Sequence, residues 1–242
     1  LYITAEELPV FNSMEFLIRH SFQFHWKNSN YQDFDQFLST LKRKRRKEII
    51  RERKQIKEQM ITVSVLEGDD ITREHIAQMY KFYISTISRK WGHPYLSLEF
   101  FYRIQQTMLK RLVLILAYVD EDCVAGAINF QKGDCLYGRY WGCKGNYRSL
   151  HFELCYYQPI EYAIRKGISL FEAGAQGEHK IQRGFLPELT YSAHWVEHPG
   201  FRSSISNFLE QEKASIRQGI KEFSPHSPYR DSVSLSAFES RS

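Results

Sequence analysis

The stretch LVLILAYVDEDCVAGAINFQKGDCLYGRYWG, residues 112–142, decides the fold. It contains three apolar runs of strand length, at 112–119, 124–131 and 135–142, which are rich in the aliphatic and aromatic residues typical of β-strands. The short polar segments 120–122 and 132–134 separate these runs, and segments of this length join neighbouring antiparallel strands. The stretch therefore predicts a three-stranded antiparallel meander.

Helices and strands surround this meander in a mixed order. On its N-terminal side the spacing of apolar residues predicts a strand at 21–26, a long helix from residue 31, a strand at 60–66 and helices at 72–91 and 97–109. On its C-terminal side the pattern predicts a helix at 150–166, a short strand at 167–171, a polar loop, a strand at 190–196 and a helix at 201–222. This order predicts an α+β fold with a mixed sheet.

The composition excludes several classes of protein. With 43% hydrophobic and 15% aromatic residues, the chain can fill a core and is not of the disordered class. No apolar run approaches the roughly 20 residues that cross a bilayer. The four cysteines have neither CxxC spacing nor the density of a secreted scaffold, which favours reduced thiols in the cytoplasm. His179 and His194 lack the short spacing of zinc ligands, so we expect no metal site.

The segment from residue 31 to residue 58 predicts one long helix with a basic second half. Its first part carries an apolar stripe of Phe34, Phe37, Leu38 and Leu41. Residues 42–58 contain ten basic and three acidic residues, whereas the whole chain has a net charge of +5, so the rest of the chain is net negative. Three interpretations stay open for residues 42–57: a solvated linker face, contact with tRNA phosphates, or contact with an anionic membrane surface.

The segment FEAGAQGEHKIQRGFLPELTYSAHW, residues 171–195, is the candidate functional centre. Glu172 ends a predicted buried strand, where burial would raise its pKa, and either Glu172 or His179 is therefore our candidate for a catalytic base. The glycines at 174 and 177 allow sharp turns. The candidate substrate-binding residues are Gln176, Glu178, Lys180, Arg183 and Tyr191. The alternative is an ordinary solvated loop, because loops are generally polar.

Several motifs give the chain a family resemblance. They are Tyr140-Trp141-Gly142, HFELCYY at 151–157, EAGAQGEHK at 172–180, RGF at 183–185, SAHW at 192–195, FHW at 24–26, and RRK at 45–47 with RER at 51–53. Together they resemble the signature of a bacterial FemAB-like family with GNAT (N-acyltransferase) folds, labelled as peptidoglycan-related. The resemblance extends over most of the chain, to about residue 230.

The resemblance implies a domain organisation. FemAB-type enzymes carry two GNAT-like halves in tandem, so we expect residues 1–30 to end a first half that is truncated here and 31–58 to form a basic linker helix. Residues 59–223 would then be a GNAT-like domain and 224–242 a flexible, serine-rich tail. The chain begins with Leu1 rather than Met, which fits the expectation of a missing preceding part.

The resemblance also implies a place for the donor substrate. In GNAT domains that use acetyl-CoA, the pyrophosphate lies over a glycine-rich turn at a helix start, where free N–H groups favour negative charge. The matching residues 143–149 read CKGNYRS, and Lys144, Asn146 and Arg148 are the candidate donor-binding residues. This segment lacks the full Q/R-x-x-G-x-G/A pattern, so both acyl-CoA and aminoacyl-tRNA stay open as donors, and so does a plain capped helix start.

These features lead to two functional expectations. The first is an acyl or aminoacyl transferase that moves an activated acyl group to an amine acceptor and needs no bound cofactor. The second is a non-catalytic protein that recognises an amino-acid or peptide-like ligand in the same pocket. The first requires a base, a held donor and hydrogen-bond donors for the oxyanion, and the residues above supply candidates for the first two.

Overall fold

The computed structural model describes residues 2–89, 92–174 and 177–230 of the chain. Contacts divide the chain into two units. The smaller unit comprises Leu1–His25 and Ala175–Pro228, and the larger unit comprises Trp26–Gly174 and Tyr229–Ser242.

Eight helices and seven strands are assigned in chain order within the described residues. They are α1 (Leu8–Ser13), β1 (Leu17–Lys27), α2 (Phe34–Thr40), α3 (Arg43–Glu58), β2 (Ile61–Glu67), α4 (Arg73–Arg89), α5 (Leu98–Met108), β3 (Leu112–Val119), β4 (Asp122–Lys132), β5 (Cys135–Cys143), α6 (Leu150–Phe152), α7 (Gln158–Lys166), β6 (Leu170–Glu172), β7 (Leu186–His194) and α8 (Pro199–Phe223). A π-helical segment, Glu153–Tyr157, joins α6 to α7 without a break.

The predicted meander forms the centre of the larger unit. Strands β2, β3, β4 and β5 pair antiparallel in that order, and β6 adds in parallel to β5. Because β6 follows β5 through the α6–α7 helix, this last connection is the crossover that parallel pairing requires. The α+β class and the mixed sheet are therefore confirmed.

Helices cover both faces of this sheet, and the residues of β3 show why. Leu112, Leu114 and Leu116 belong to a core cluster with α4 and α5. Ile115 and Ala117 belong to a second cluster that includes residues of α3 and of the α6–α7 helix. Successive side chains of a strand point to opposite faces, so a fully apolar strand is buried from both sides.

The close approach of α4 to β5 depends on Gly142. A Cβ atom at this position would lie 2.1 Å from the Phe82 carbonyl oxygen. The Thr86 hydroxyl of α4 donates to the Trp141 carbonyl oxygen at 2.8 Å. Only glycine allows the helix backbone to lie this near the strand.

The expectation of one continuous helix from residue 31 is wrong, because the helix is interrupted at Leu41 and Lys42. Leu41 is fully buried in an extended conformation, and it forms an isolated β-bridge with Tyr229. The Arg230 N–H donates to the Thr40 carbonyl at 3.0 Å. This tertiary pairing replaces the helical bonds that the local spacing favours, and the basic helix starts at Arg43.

The smaller unit contains an antiparallel ladder of β1 and β7, paired from Leu17↔His194 to His25↔Leu186. Strand β7 begins earlier than the sequence predicts, at Leu186. Helix α8 packs on the ladder: the Phe223 ring lies 5.7 Å from the Phe22 ring, and Arg19 forms an ion pair with Glu212 at 2.6 Å. The predicted domain boundaries, including the truncated first half and the flexible tail, stay predictions, and residues 231–242 lie outside the described part of the chain.

Candidate active site

An irregularity in the β4–β5 ladder places one extra residue, Arg139, in β5. Ile128 pairs with Tyr140, whereas the next residue, Asn129, pairs with Gly138. This arrangement is a β-bulge, a feature that often lies next to active sites. Strand β6 pairs only with the first three residues of β5, Cys135 to Tyr137. The second half of β5 therefore has β4 as its sole ladder partner among the strands described, and the sheet opens beside the bulge.

A pocket of about 140 Å³ lies at this opening, and we call it the α6 pocket. Strands β4 and β5 contribute Asn129, Arg139 and Trp141 to its wall. The helix contributes His151, Cys155 and Tyr156, and the segment after β6 contributes Ala173 and Gly174. The pocket thus collects an amide, an imidazole, a thiol and a guanidinium group around a gap in the sheet.

The helical wall of the α6 pocket contains the π-helical segment. Such segments insert one extra residue into a helix and are frequent at functional sites. The His151 ring lies 4.7 Å from the Trp141 ring and 5.4 Å from the Tyr156 ring, measured between centroids. Neither His151 nor Cys155 is among the site residues that the sequence predicts. Their spacing of one helical turn is the signal that could have placed both on one pocket wall.

A second pocket, of about 370 Å³, lies on the side of the sheet that α5 covers, and we call it the α5 pocket. Its walls are mostly apolar and come from α5, the segment before it, and β4. Ile128, Arg139 and Tyr140 line both pockets. The two pockets therefore meet at the bulge. No sequence motif indicated the α5 pocket, because its walls read as ordinary core residues.

Glu172, the predicted base, is the last residue of β6 and pairs with Tyr137 of β5. The Cys135 thiol donates to its Oε1 atom at 3.8 Å. Burial raises the pKa of the Glu172 carboxyl, and the thiol hydrogen bond offsets this only in part. Burial also raises the pKa of the Cys135 thiol to about 12, which keeps it protonated. The half-buried carboxyl is thus present where the sequence predicted it, and its catalytic role stays a prediction.

His179, the other candidate base, lies in a short 3-10 helix, Glu178–Arg183, between two glycines with positive φ. Partial burial lowers the pKa of the His179 imidazole, and the charges of Arg183 and Lys180 lower it further. Both cations are only 3% exposed, and Arg183 Nη1 donates to the His179 carbonyl at 2.8 Å. They are therefore not the solvated cations of an ordinary loop.

The remaining candidate substrate-binding residues are placed as follows. Glu178 is exposed on the same 3-10 helix. Tyr191 lies on β7, where its ring packs edge-on against His20 at 5.0 Å. Gln176 lies outside the described residues. His179, Lys180, Arg183 and Tyr191 belong to the smaller unit, whereas Glu172 belongs to the larger one, and the substrate-binding roles stay predictions.

The predicted donor loop, residues 143–149, joins β5 to α6. Lys144 is exposed and forms an ion pair with Asp122 at 2.5 Å, an interaction that contributes little at the surface. The backbone of Arg148 is held by Gln59: its N–H donates to Gln59 Oε1 at 2.9 Å, and its carbonyl accepts from Gln59 Nε2 at 3.0 Å. Asn146 is exposed. The loop is thus anchored through its backbone, and its donor-binding role stays a prediction.

Within residues 2–89, 92–174 and 177–230, no three His, Cys, Asp or Glu side chains are arranged to hold a metal ion. No helix in those ranges combines the length and the apolar character needed to span a bilayer.

Comparison with known proteins gives a family and a fold. A family model described as FemAB-like, peptidoglycan biosynthesis/recognition, matches residues 1–231. No curated protein matches the sequence. The structure of L-PGS from Bacillus licheniformis is similar with a TM-score of 0.59 at 9% identity, covering 87% of this chain and 72% of that one. FemX is similar with a TM-score of 0.55 at 10% identity, covering 84% and 71%.

A third similar structure is the C-terminal domain of a putative lysylphosphatidylglycerol synthetase from Agrobacterium fabrum. Its TM-score is 0.53 at 10% identity, and the alignment covers 88% of this chain and 70% of that one. At such low identity, these three likenesses show a shared fold and leave the activity open.

Proposed function

Because its family model spans almost all of it, the chain belongs to the FemAB-like family, and we propose that it is an acyl or aminoacyl transferase. The reaction would move an activated acyl group to an amine acceptor. One observation carries the proposal: two pockets meet at the bulge of β5, beside the strand that ends in a half-buried carboxyl group. A transferase must bring two substrates together, and two adjoining pockets could hold one substrate each.

We assign the acyl group of the donor to the α6 pocket, because this pocket lies at the start of the helix that the donor loop precedes. Lys144, Asn146 and Arg148 would then contact the polar part of the donor. The family likeness leaves acyl-CoA and aminoacyl-tRNA as candidate donors. Both are made inside the cell, so we place the reaction in the cytoplasm.

Glu172 is the proposed general base. The acceptor nitrogen would attack the acyl carbonyl carbon, the carbon–oxygen or carbon–sulfur bond to the donor would break, and the amine proton would pass to the Glu172 carboxylate. A raised pKa lies closer to the pH of the reaction, and it makes this carboxylate a stronger base than an exposed one. The next two residues of the chain, Ala173 and Gly174, line the α6 pocket, so the strand end that carries the carboxyl group adjoins the proposed site of transfer.

Helix α3 is the proposed contact for a polyanionic donor. Ile49, Glu52 and Ile56 form its buried face, and Arg53 pairs with Glu153 of the π-helical segment at 3.1 Å. The opposite face is an exposed basic stripe of Arg43, Lys47, Arg51 and Lys54. We propose that this basic stripe binds tRNA phosphates, and an anionic membrane surface is the alternative partner.

A donor screen tests the proposed reaction. The purified chain is incubated with an amine-containing metabolite extract and either a panel of acyl-CoA thioesters or a pool of aminoacylated tRNA. Thiol release and loss of tRNA acylation are the readouts. We expect acceptor-dependent turnover of one donor class that the Glu172→Gln variant loses. Ligand binding without turnover of either class would instead favour the non-catalytic binding protein.

A salt titration tests the basic stripe. The quadruple variant Arg43→Gln, Lys47→Gln, Arg51→Gln and Lys54→Gln should bind tRNA with a shallower dependence on salt, by about 0.7 to 0.9 in the logarithmic slope per lost phosphate contact. A control with the same charge change removes Lys81, Arg103, Lys110 and Lys132, all of which are exposed. Equal slopes for the two variants would contradict the proposal. Binding of the parent chain to anionic vesicles but not to tRNA would favour the membrane alternative.

A further inference from the structure

Arg139 carries a charge without a protein partner where the two pockets meet. It is the extra residue of the β5 bulge, and its side chain is exposed. Across the described residues it takes part in no ion pair and no side-chain hydrogen bond. Neighbouring cations are engaged: Lys144 pairs with Asp122, and Arg89 donates to the Cys143 carbonyl. An unpaired guanidinium at a pocket wall is suited to a carboxylate or a phosphate.

The α5 pocket next to Arg139 is apolar. Six of its ten lining residues form a continuous hydrocarbon wall: Leu96, Phe100, Phe101, Ile104, Met108 and Phe130. Its volume of about 370 Å³ falls within the range of roughly 300 to 1,000 Å³ that is typical of small-molecule sites. Such a wall gains free energy by removing a hydrocarbon tail from water.

Hydrogen bonds and ring contacts hold the rim of this pocket in place. The Tyr95 and Tyr140 hydroxyl groups lie 2.5 Å apart, and the Leu96 N–H donates to the Tyr83 hydroxyl at 3.2 Å. The Tyr83 ring also packs edge-on against the Tyr140 ring at 5.0 Å. A pocket formed in advance loses less conformational entropy when a ligand enters.

We propose that the α5 pocket binds an anionic amphiphile, with the apolar tail inside the pocket and the carboxylate or phosphate on Arg139. If the proposed transferase function holds, this ligand is the acceptor, and the acceptor class is an amine that carries both an apolar tail and an acidic group. A free acid, an alkyl phosphate and an anionic lipid all combine an apolar tail with a negative charge, and each is a candidate for the ligand.

Calorimetric titration with straight-chain carboxylates from hexanoate to decanoate, below their micelle concentrations, tests the tail. We expect Kd to tighten about fourfold for each added methylene group until the pocket is full. Decyl phosphate should bind as decanoate does, whereas decylamine should bind more weakly. Affinity that does not depend on chain length would overturn the proposal.

Two variants test the position of the ligand. Arg139→Gln should weaken the binding of decanoate and decyl phosphate by about tenfold and leave decanol unchanged, and Arg103→Gln is the matched surface control. Ile104→Trp, which fills the pocket, should abolish binding of all three, with thermal unfolding used to verify that it folds; Met108→Trp replaces it if it does not. Unchanged decanoate binding in both Arg139→Gln and the pocket-filling variant would refute the assignment.

Vesicles containing phosphatidylglycerol distinguish the source of the ligand. Vesicle binding lost in both variants would identify a lipid as the ligand, whereas soluble amphiphile binding without vesicle binding would identify a free acid or phosphate. Vesicle binding that survives both variants, without binding of soluble amphiphiles, would assign lipid contact to another surface and overturn the proposal. These measurements need no turnover, so their failure and the failure of the donor screen are separate results.

Discussion

Glu172 and His179 lie close together in the sequence, yet their surroundings differ. Glu172 belongs to a strand site with Cys135 and Tyr137, where β-pairing fixes each residue. His179 belongs to a turn segment, residues 177–184, between glycines with φ of +108° and +95°. Burial favours the uncharged form of both groups, so it raises the pKa of the Glu172 carboxyl and lowers the pKa of the His179 imidazole. Two different local structures thus produce two candidate bases.

The comparison of these two surroundings shows that a dense run of charged residues does not by itself indicate a substrate site. The turn segment is rich in charged groups, but its two cations are buried, and Arg183 bonds to the backbone of its own turn. The strand site carries few charges, and the two adjoining pockets lie next to it. Charge density can therefore reflect how a turn is held, whereas an opening between strands creates space for a substrate.

The largest expected effect separates the two candidate bases directly. We expect Glu172→Gln to lower turnover by about 100-fold to 10,000-fold, the usual contribution of a general base, and His179→Gln to lower it by less than about tenfold. Turnover by the donor screen is the measurement, and Glu74→Gln, an exposed glutamate of α4, is the control. The reverse order of the two effects would move the chemistry to the turn segment.

Replacing a glycine by alanine should reduce the stability more in β5 than in the turn segment. Gly142→Ala would place a Cβ atom 2.1 Å from the Phe82 carbonyl oxygen, so we expect the free energy of unfolding to fall by at least about 3 kcal/mol. Gly177→Ala should cost about 1 to 2 kcal/mol because of its positive φ. Urea denaturation measures both changes.

The control for these glycine variants is Gly219→Ala in α8, where a Cβ atom would meet nothing within 4 Å. It should raise the stability by about 0.5 to 1 kcal/mol, since alanine favours a helix. If Gly142→Ala unfolded no more readily than Gly177→Ala, the contrast between the close packing at Gly142 and the turn at Gly177 would be lost.

The dependence of stability on pH should have opposite signs in the two regions. A raised folded-state pKa means that Glu172 stabilises the fold at low pH and that this contribution is lost as pH rises above the ordinary value of 4.5. A lowered folded-state pKa means that the contribution of His179 is present above 6.5 and is lost as pH falls below that value. Glu172→Gln should remove the first dependence and His179→Gln the second.

Urea unfolding at a series of pH values from 4 to 8 measures these dependences, each variant being compared with the parent chain. The same sign of change in both variants would contradict the opposite burial effects. Because both groups are partly exposed, we expect modest slopes that solvent screening reduces further.

The smallest effect concerns the tuning of the carboxyl group. The Cys135 thiol lowers the pKa of Glu172 by donating a hydrogen bond, so Cys135→Ala should move the midpoint of the pH–rate profile to higher pH. Cys123→Ala, which removes another buried thiol whose bond is to the Ala125 carbonyl, should leave the midpoint in place. A shift to lower pH in Cys135→Ala would show that the thiol does not donate to the carboxylate.

Much of the fold could be predicted from local patterns. The apolar runs at 112–142 predicted β3, β4 and β5 because a strand buried on both faces needs continuous hydrophobic residues. The half-buried carboxyl of Glu172 also follows from its position at the end of such a run. The break at Leu41 could not be predicted, because its cause is a β-bridge to Tyr229, far away in sequence.

The candidate site was predicted only in part. Sequence reasoning identified Glu172, but not the pocket wall formed by His151 and Cys155 or the position of Arg139 at the bulge. A bulge depends on how two strands align, and the same residues could pair without one. The α5 pocket consists of side chains that resemble any apolar core in sequence.

The sequence by itself determined the meander of β3, β4 and β5, the family and the basic character of α3, because these depend on spacing and composition along the chain. The tertiary structure alone decided where the sheet opens, and it placed Arg139, which forms no ion pair within the described residues, where the two pockets meet. The physical reason is that pockets and pairings depend on the register between distant segments, and register is a property of packing in space.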